Sequence, residues 1–117
     1  MSLARRPSDD VLGTLREDLV SAADLVFRGR RAYDGDRLLR LAAEAVLARV
    51  GQAADTLPDD VASAVFGGER DDWLDRRAPE ATGDTRVDHD EVWVTLSEGA
   101  PVLLERLDEL EGGPDDA

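Results

Sequence analysis

Residues 75–93 read Asp-Arg-Arg-Ala-Pro-Glu-Ala-Thr-Gly-Asp-Thr-Arg-Val-Asp-His-Asp-Glu-Val-Trp, and the way this stretch divides decides the fold. Its first part is polar and broken by Pro79 and Gly83. Its last part opens an amphipathic segment. Asp88 stands where it can accept from a backbone N–H at the start of that segment. Glu91, three residues on, can reach back to the Asp88 N–H, a capping box with Asp in the Ser/Thr place. The stretch is therefore a loop pinned to the first turn of a helix, and a functional site is expected there.

Downstream, Val92, Trp93, Leu96, Ala100, Leu103, Leu107 and Leu110 form an apolar stripe at helical spacing, which predicts a helix from Asp88 to about Leu110. Pro101 cannot donate to the Ser97 carbonyl and crowds it, so a kink is expected near 97–101. Upstream, Glu69 to Arg77 reads as a short helical turn, with Trp73 and Arg77 able to stack on one face. Pro58, Asp59 and Asp60 suit the opening of a short helix that ends at Phe66, before Gly67-Gly68.

The stretch from Asp36 to Thr56 is a long helix. Leu38, Leu39, Leu41, Ala42, Ala45, Val46, Val50 and Ala53 cover more than one of its faces, so it is expected to be the most buried element. Gly51 inside it suggests close packing. A first helix is expected from Ser8, as N-cap, to about Arg28, stopped near Gly29. Its stripe is Val11, Leu12, Leu15, Leu19, Ala22, Ala23 and Val26. No strand signal exceeds Arg86-Val87, and no internal repeat is present. The expectation is one all-α domain over residues 1–117, an up-and-down bundle of four main helical segments plus short helices. Residues 1–7 and 112–117 are expected to be disordered.

Composition narrows the chemistry. The chain has 117 residues, no cysteine and a net charge of −13, and all 14 of its basic residues are arginine. Disulfides, thiol nucleophiles and thiolate metal sites are excluded by the missing cysteine. Without lysine there is neither a Walker-type phosphate loop nor Schiff-base chemistry. An acidic, lysine-free, alanine- and valine-rich chain resembles proteins adapted to molar salt, where self-repulsion is screened. The same charge disfavours electrostatic capture of RNA or DNA. No apolar run approaches the ~18 residues of a membrane span, and no signal peptide opens the chain, so a cytoplasmic protein is expected.

Few side chains suggest a site. Arg28, Arg30, Arg31, Arg37 and Arg40 make the one locally basic stretch, read either as helix-terminal cations with a solvated turn or as an anion contact. Asp34-Gly35-Asp36 lacks the further acceptors of a calcium loop. His89 is the only histidine, so a multi-histidine metal site is excluded. At a helix start it reads as a solvated polar residue or, alternatively, a base. Asp88, Asp90 and Glu91 read as helix-capping carboxylates, with a hard-cation site as the alternative.

The order of residues adds a resemblance. Leu57-Pro58, Arg77, Gly83, Arg86-Val87-Asp88, Glu91-Val92-Trp93 and Ala100-Pro101-Val102-Leu103 resemble the HepT-like family of the HEPN superfamily, over about residues 8–110. That resemblance implies a small helical bundle, often a ribonuclease toxin paired with a minimal nucleotidyltransferase antitoxin. It implies no metal and no cofactor.

Active members carry an Arg, four to six residues, a His, one residue and a Tyr. Aligned from Val87-Asp88, these fall on Arg77, Thr82 and Asp84. The phosphate-holding cation is kept, and the proton-moving His and the Tyr are replaced. Thr82 cannot act as a base near neutral pH; Asp84 can in principle, but it would also repel a phosphate. Between Glu69 and Asp88 there are four Arg against seven acids, where an RNA cleft should be positive.

The resemblance therefore implies a homodimeric binding or regulatory module with a decayed nuclease motif, its Arg77 loops approaching across the dimer. The alternatives are an active metal-independent endoribonuclease with a non-standard site, and a helical interaction protein of unrelated role.

Overall fold

The computed structural model describes residues 7–75 and 88–112, with the backbone only at Pro7, Ser8 and Gly112. It contains α1 (Pro7–Phe27), α2 (Arg30–Gly35), α3 (Arg37–Thr56), α4 (Asp59–Phe66), a 3-10 turn (Gly67–Glu69), α5 (Arg70–Leu74) and α6 (His89–Gly112). The fold is all-α, as the periodicity predicts, and no strand occurs among the described residues. No described helix is long and apolar enough to cross a membrane.

Ion pairs and side-chain contacts fix the helix directions. Asp18 of α1 meets Arg49 of α3 at 2.9 Å, and Arg16 meets Asp108 and Glu111 of α6 at 2.9 and 2.6 Å. At the other end, Arg30, just after α1, pairs with Asp90, and Glu44 of α3 lies beside His89 of α6. Helix α1 is thus antiparallel to both α3 and α6. The α4–α5 segment makes the return run, and the up-and-down arrangement follows.

Sequence explains where each helix begins and ends. Gly29 adopts φ +96°, a left-handed conformation that a side chain would resist, and α1 stops just before it. Asp36 caps α3 by accepting from the Leu38 N–H at 2.9 Å. Pro58 precedes α4, and Gly67 at φ +59° ends it. The carbonyls left open at the end of α3 are taken by Arg70, which donates to Ala54 at 2.9 Å and Leu57 at 3.3 Å. Arg106 likewise reaches the Val65 carbonyl at 3.1 Å and ties α4 to α6.

The core is one cluster. Leu12, Leu15, Leu19, Ala22 and Leu25 of α1 meet Leu47, Val50 and Ala54 of α3, Val65 and Phe66 of α4, and Leu96, Leu103 and Leu107 of α6. Trp73 packs against Phe66 with ring centroids 6.3 Å apart and presses on Gly99. A Cβ at Gly99 would sit 2.9 Å from Trp73 Cζ2, so the glycine sets how closely α5 approaches α6.

Several expectations are corrected. Helix α1 begins at Pro7, not Ser8, so Ser8 lies inside it rather than capping it. The α1 stripe includes Leu25, while Ala23 is exposed. Residues 30–35 form a helix, not a solvated turn, because Tyr33 is drawn fully into the core. Helix α3 is not covered on every apolar side: Leu38 is 73% exposed and Leu41 42%. Helix α6 runs through Pro101, as expected, but reaches Gly112, which is helical rather than part of a tail. The other expected disordered residues, 1–6 and 113–117, lie outside the described residues.

Candidate functional site

The motif residues Arg77, Thr82 and Asp84 lie outside the described residues, as do Gly83, Arg86, Val87 and the expected Trp73–Arg77 stack. The structure gives the two ends that bracket them. On one side Trp73 is 5% exposed, its ring engaged with Phe66 and Gly99. On the other, Asp88 Oδ1 accepts from the Asp90 N–H at 3.0 Å and the Glu91 N–H at 3.1 Å. The cap anticipated at Asp88 is therefore formed and fixes where the 76–87 segment joins α6. The carboxylates 88, 90 and 91 open the helix: Asp88 caps it, and Asp90 is engaged by Arg30.

Around that helix start the structure gathers the chain's only tyrosine, its only histidine and one of its two tryptophans. Tyr33, the only tyrosine, donates its hydroxyl hydrogen to the His89 carbonyl at 2.9 Å. The hydroxyl of a buried tyrosine needs such a partner, and a carbonyl at the first residue of α6 provides it. Tyr33 and Trp93 have ring centroids 5.0 Å apart with planes at 45°. The Arg30 guanidinium lies 5.9 Å from both ring centroids, while it pairs with Asp34 at 2.8 Å and with Asp90. Arg40 donates to the Tyr33 carbonyl at 3.2 Å and to the Asp34 carbonyl. Arg30 and Arg40 of the basic stretch thus hold α2 in place. Arg28, Arg31 and Arg37 make no ion pair with a described residue.

His89 completes the cluster. Its Nδ1 is buried, has no hydrogen-bond partner among the described residues, and lies 3.7 Å from Glu44 Oε2. That separation exceeds a normal hydrogen bond, so the two groups are neighbours rather than bonded. The imidazole side chain as a whole remains 42% exposed. One edge of the ring therefore faces a carboxylate inside, while the rest reaches solvent beside the junction with residue 87. Burial pushes the Tyr33 phenol above its ordinary value of 10.0, Glu44 adds to the shift, and Arg30 and Arg40 oppose it.

The arrangement offers an imidazole–carboxylate pair, two rings in tilted contact and an arginine near both. Asp88 and His89 were singled out in the sequence. Tyr33 and Glu44 were not, because the contacts that join them to α6 span 56 and 45 positions and leave no local spacing signal. A second surface feature lies between α1 and α3, a groove of about 330 Å³ floored by Val11, Leu15 and Ala53 and rimmed by Asp18 and Arg49. Comparison with family models, curated proteins and solved structures finds no match for this chain.

Proposed function

We propose that this chain is a HepT-like, HEPN-fold module of a toxin–antitoxin system whose ribonuclease motif has decayed. It serves as a dimeric binding or regulatory partner, beside a minimal nucleotidyltransferase, in a salt-rich cytoplasm. Arg77 is the retained phosphate-holding cation. Thr82 and Asp84 stand where a proton carrier and a tyrosine would be needed.

The observation that carries this reading is the use made of the only imidazole. His89 is built into the start of α6, its carbonyl held by Tyr33 and its Nδ1 turned inward beside Glu44. It thus works as part of the helix entrance, and the motif segment has no second histidine to supply. The test is incubation of RNA with the purified chain in molar KCl, alongside Arg77→Ala. Neither protein is expected to cleave, and both are expected to co-purify with a co-expressed minimal nucleotidyltransferase.

A second reading, an active metal-independent endoribonuclease, is favoured by one contact. Glu44 at 3.7 Å from His89 Nδ1 could orient the ring so that Nε2 acts as a base. Cleavage by the native chain, abolished in both His89→Asn and Arg77→Ala, would establish this reading over the first.

A further inference from the structure

The chain has one imidazole, and the start of α6 sets one edge of it against a carboxylate of α3. His89 Nδ1 is buried, has no hydrogen-bond partner among the described residues, and lies 3.7 Å from Glu44 Oε2. A buried polar atom left without a partner costs stability, so the unmade bond needs a reason. Glu44 is the only acid of α3 between Asp36 and Asp55, and its side chain is only 30% exposed. The neutral ring carries one N–H, which the solvent-side nitrogen can hold. The doubly protonated ring carries two, and Nδ1 must then donate.

We propose that the His89–Glu44 contact is an acid-closed clasp. When the imidazole takes up its second proton, Nδ1–H donates to Glu44 and draws the first turn of α6 onto α3.

The neighbouring groups leave the imidazole to decide the charge. It is the side chain here that ordinarily changes charge between about pH 5 and 8. From α3 come Glu44 and, one turn earlier, Arg40, which is held by the Tyr33 and Asp34 carbonyls. From α2, Tyr33 donates to the His89 carbonyl, and Arg30 pairs with the adjoining Asp90. Burial keeps the Tyr33 phenol protonated beyond that range, and guanidinium stays charged throughout. On α6 itself, Asp88 caps the helix, and Asp90 and Glu91 lie in its first turn. A helix N-terminus disfavours a cation, and these three carboxylates offset that. Because Nδ1 is buried, salt screens this pair less than an exposed one. The contact adds stability while the ring holds both protons and loses it as pH rises and the second proton leaves. The clasp stands whether or not the chain is a nuclease scaffold.

The test is thermal unfolding of the native chain and of Glu44→Gln in molar KCl, at about pH 5.5 and about pH 8.5, on either side of the imidazole range. The native chain is expected to melt about 4 °C or more above the variant at the acid pH, and level with it at the alkaline pH. His89→Gln keeps a hydrogen-bonding side chain that cannot titrate. In that background, Glu44→Gln is expected to have the same effect at both pH values. The single histidine also gives a single Nδ1 proton to follow by nitrogen-15 NMR. In the native chain it is expected to be slow to exchange with water at the acid pH and absent at the alkaline pH.

An equal melting difference between the native chain and Glu44→Gln at the two pH values would overturn the proposal. So would an Nδ1 proton protected equally at both, or at neither, a result that needs no folded variant.

Discussion

Trp73 and Gly99 show how one missing side chain sets an interhelical distance. Adding a methyl at Gly99 would bring it to 2.9 Å of the indole, inside contact distance, and the ring is packed on its other side by Phe66. Gly99→Ala is therefore expected to lose about 1–3 kcal/mol, read from denaturant midpoints, despite the better helix propensity of alanine. Tyr33 gives a second prediction. Tyr33→Phe keeps the packing but removes the hydroxyl's hydrogen bond to the His89 carbonyl, at a cost of about 1 kcal/mol.

The same residue couples folding to alkaline pH. The folded phenol titrates above its ordinary value of 10.0, chiefly through burial, so the unfolded chain loses this proton first. Its contribution is full below pH 10 and declines as pH rises from there toward the raised folded value. The fall in stability above pH 10 should be shallower in Tyr33→Phe, as measured by unfolding at a pH series. None of this could be read from the sequence around Tyr33. One aromatic among arginines carries no periodicity, and its burial depends on a helix that begins 56 residues later.

At the scale of the element, the starts of α3 and α6 were legible and face assignment was not. Asp88 caps as expected, because an N-cap needs only a short acceptor and a free N–H within three residues; Asp36, read only as the approximate start of α3, caps as well, whereas Ser8 lies inside α1. Asp88→Ala is expected to destabilise by about 1 kcal/mol and to loosen the first turn of α6, seen as faster amide exchange at Asp90 and Glu91. For α3, the sequence identified the apolar residues but not which of them the fold would cover. Periodicity marks stripes, and two stripes are present where the described residues supply neighbours for one.

Helix α6 offers a complementary case. Pro101 lies inside it on an exposed position, where it removes one hydrogen bond. Pro101→Ala is expected to raise thermal stability, since no packing is lost with the ring. The candidate site follows the same division. Its cap was legible, its Tyr33–Glu44–His89 grouping was not, and Arg77, Thr82 and Asp84 fall in the segment between α5 and α6 beyond the described residues.

For the whole molecule, charge is the governing variable. Twenty-seven acids against fourteen arginines, mostly spread over exposed helix faces, make the folded chain repel itself more than the expanded one does. Screening lengths fall from about 10 Å at 0.1 M salt to about 3 Å at 1 M. The melting temperature is therefore expected to climb between low salt and molar KCl. A flat response would remove the inference that the composition is an adaptation to salt. Some ion pairs, such as Arg16 with Asp108 and Glu111, would weaken over the same range, but exposed pairs contribute little each.

The two indoles make this chain its own pair of optical reporters. Trp73 is shut inside at the α4–α5 end, whereas Trp93 stands half open beside a guanidinium and a phenol at the mouth of α6. Emission from the first should be blue and hard to quench with iodide, and from the second redder and easily quenched. Replacing either by phenylalanine would leave a single lamp at one end. Whether both ends go dark at the same denaturant concentration would then tell whether the bundle melts as one unit or from the loop end inward.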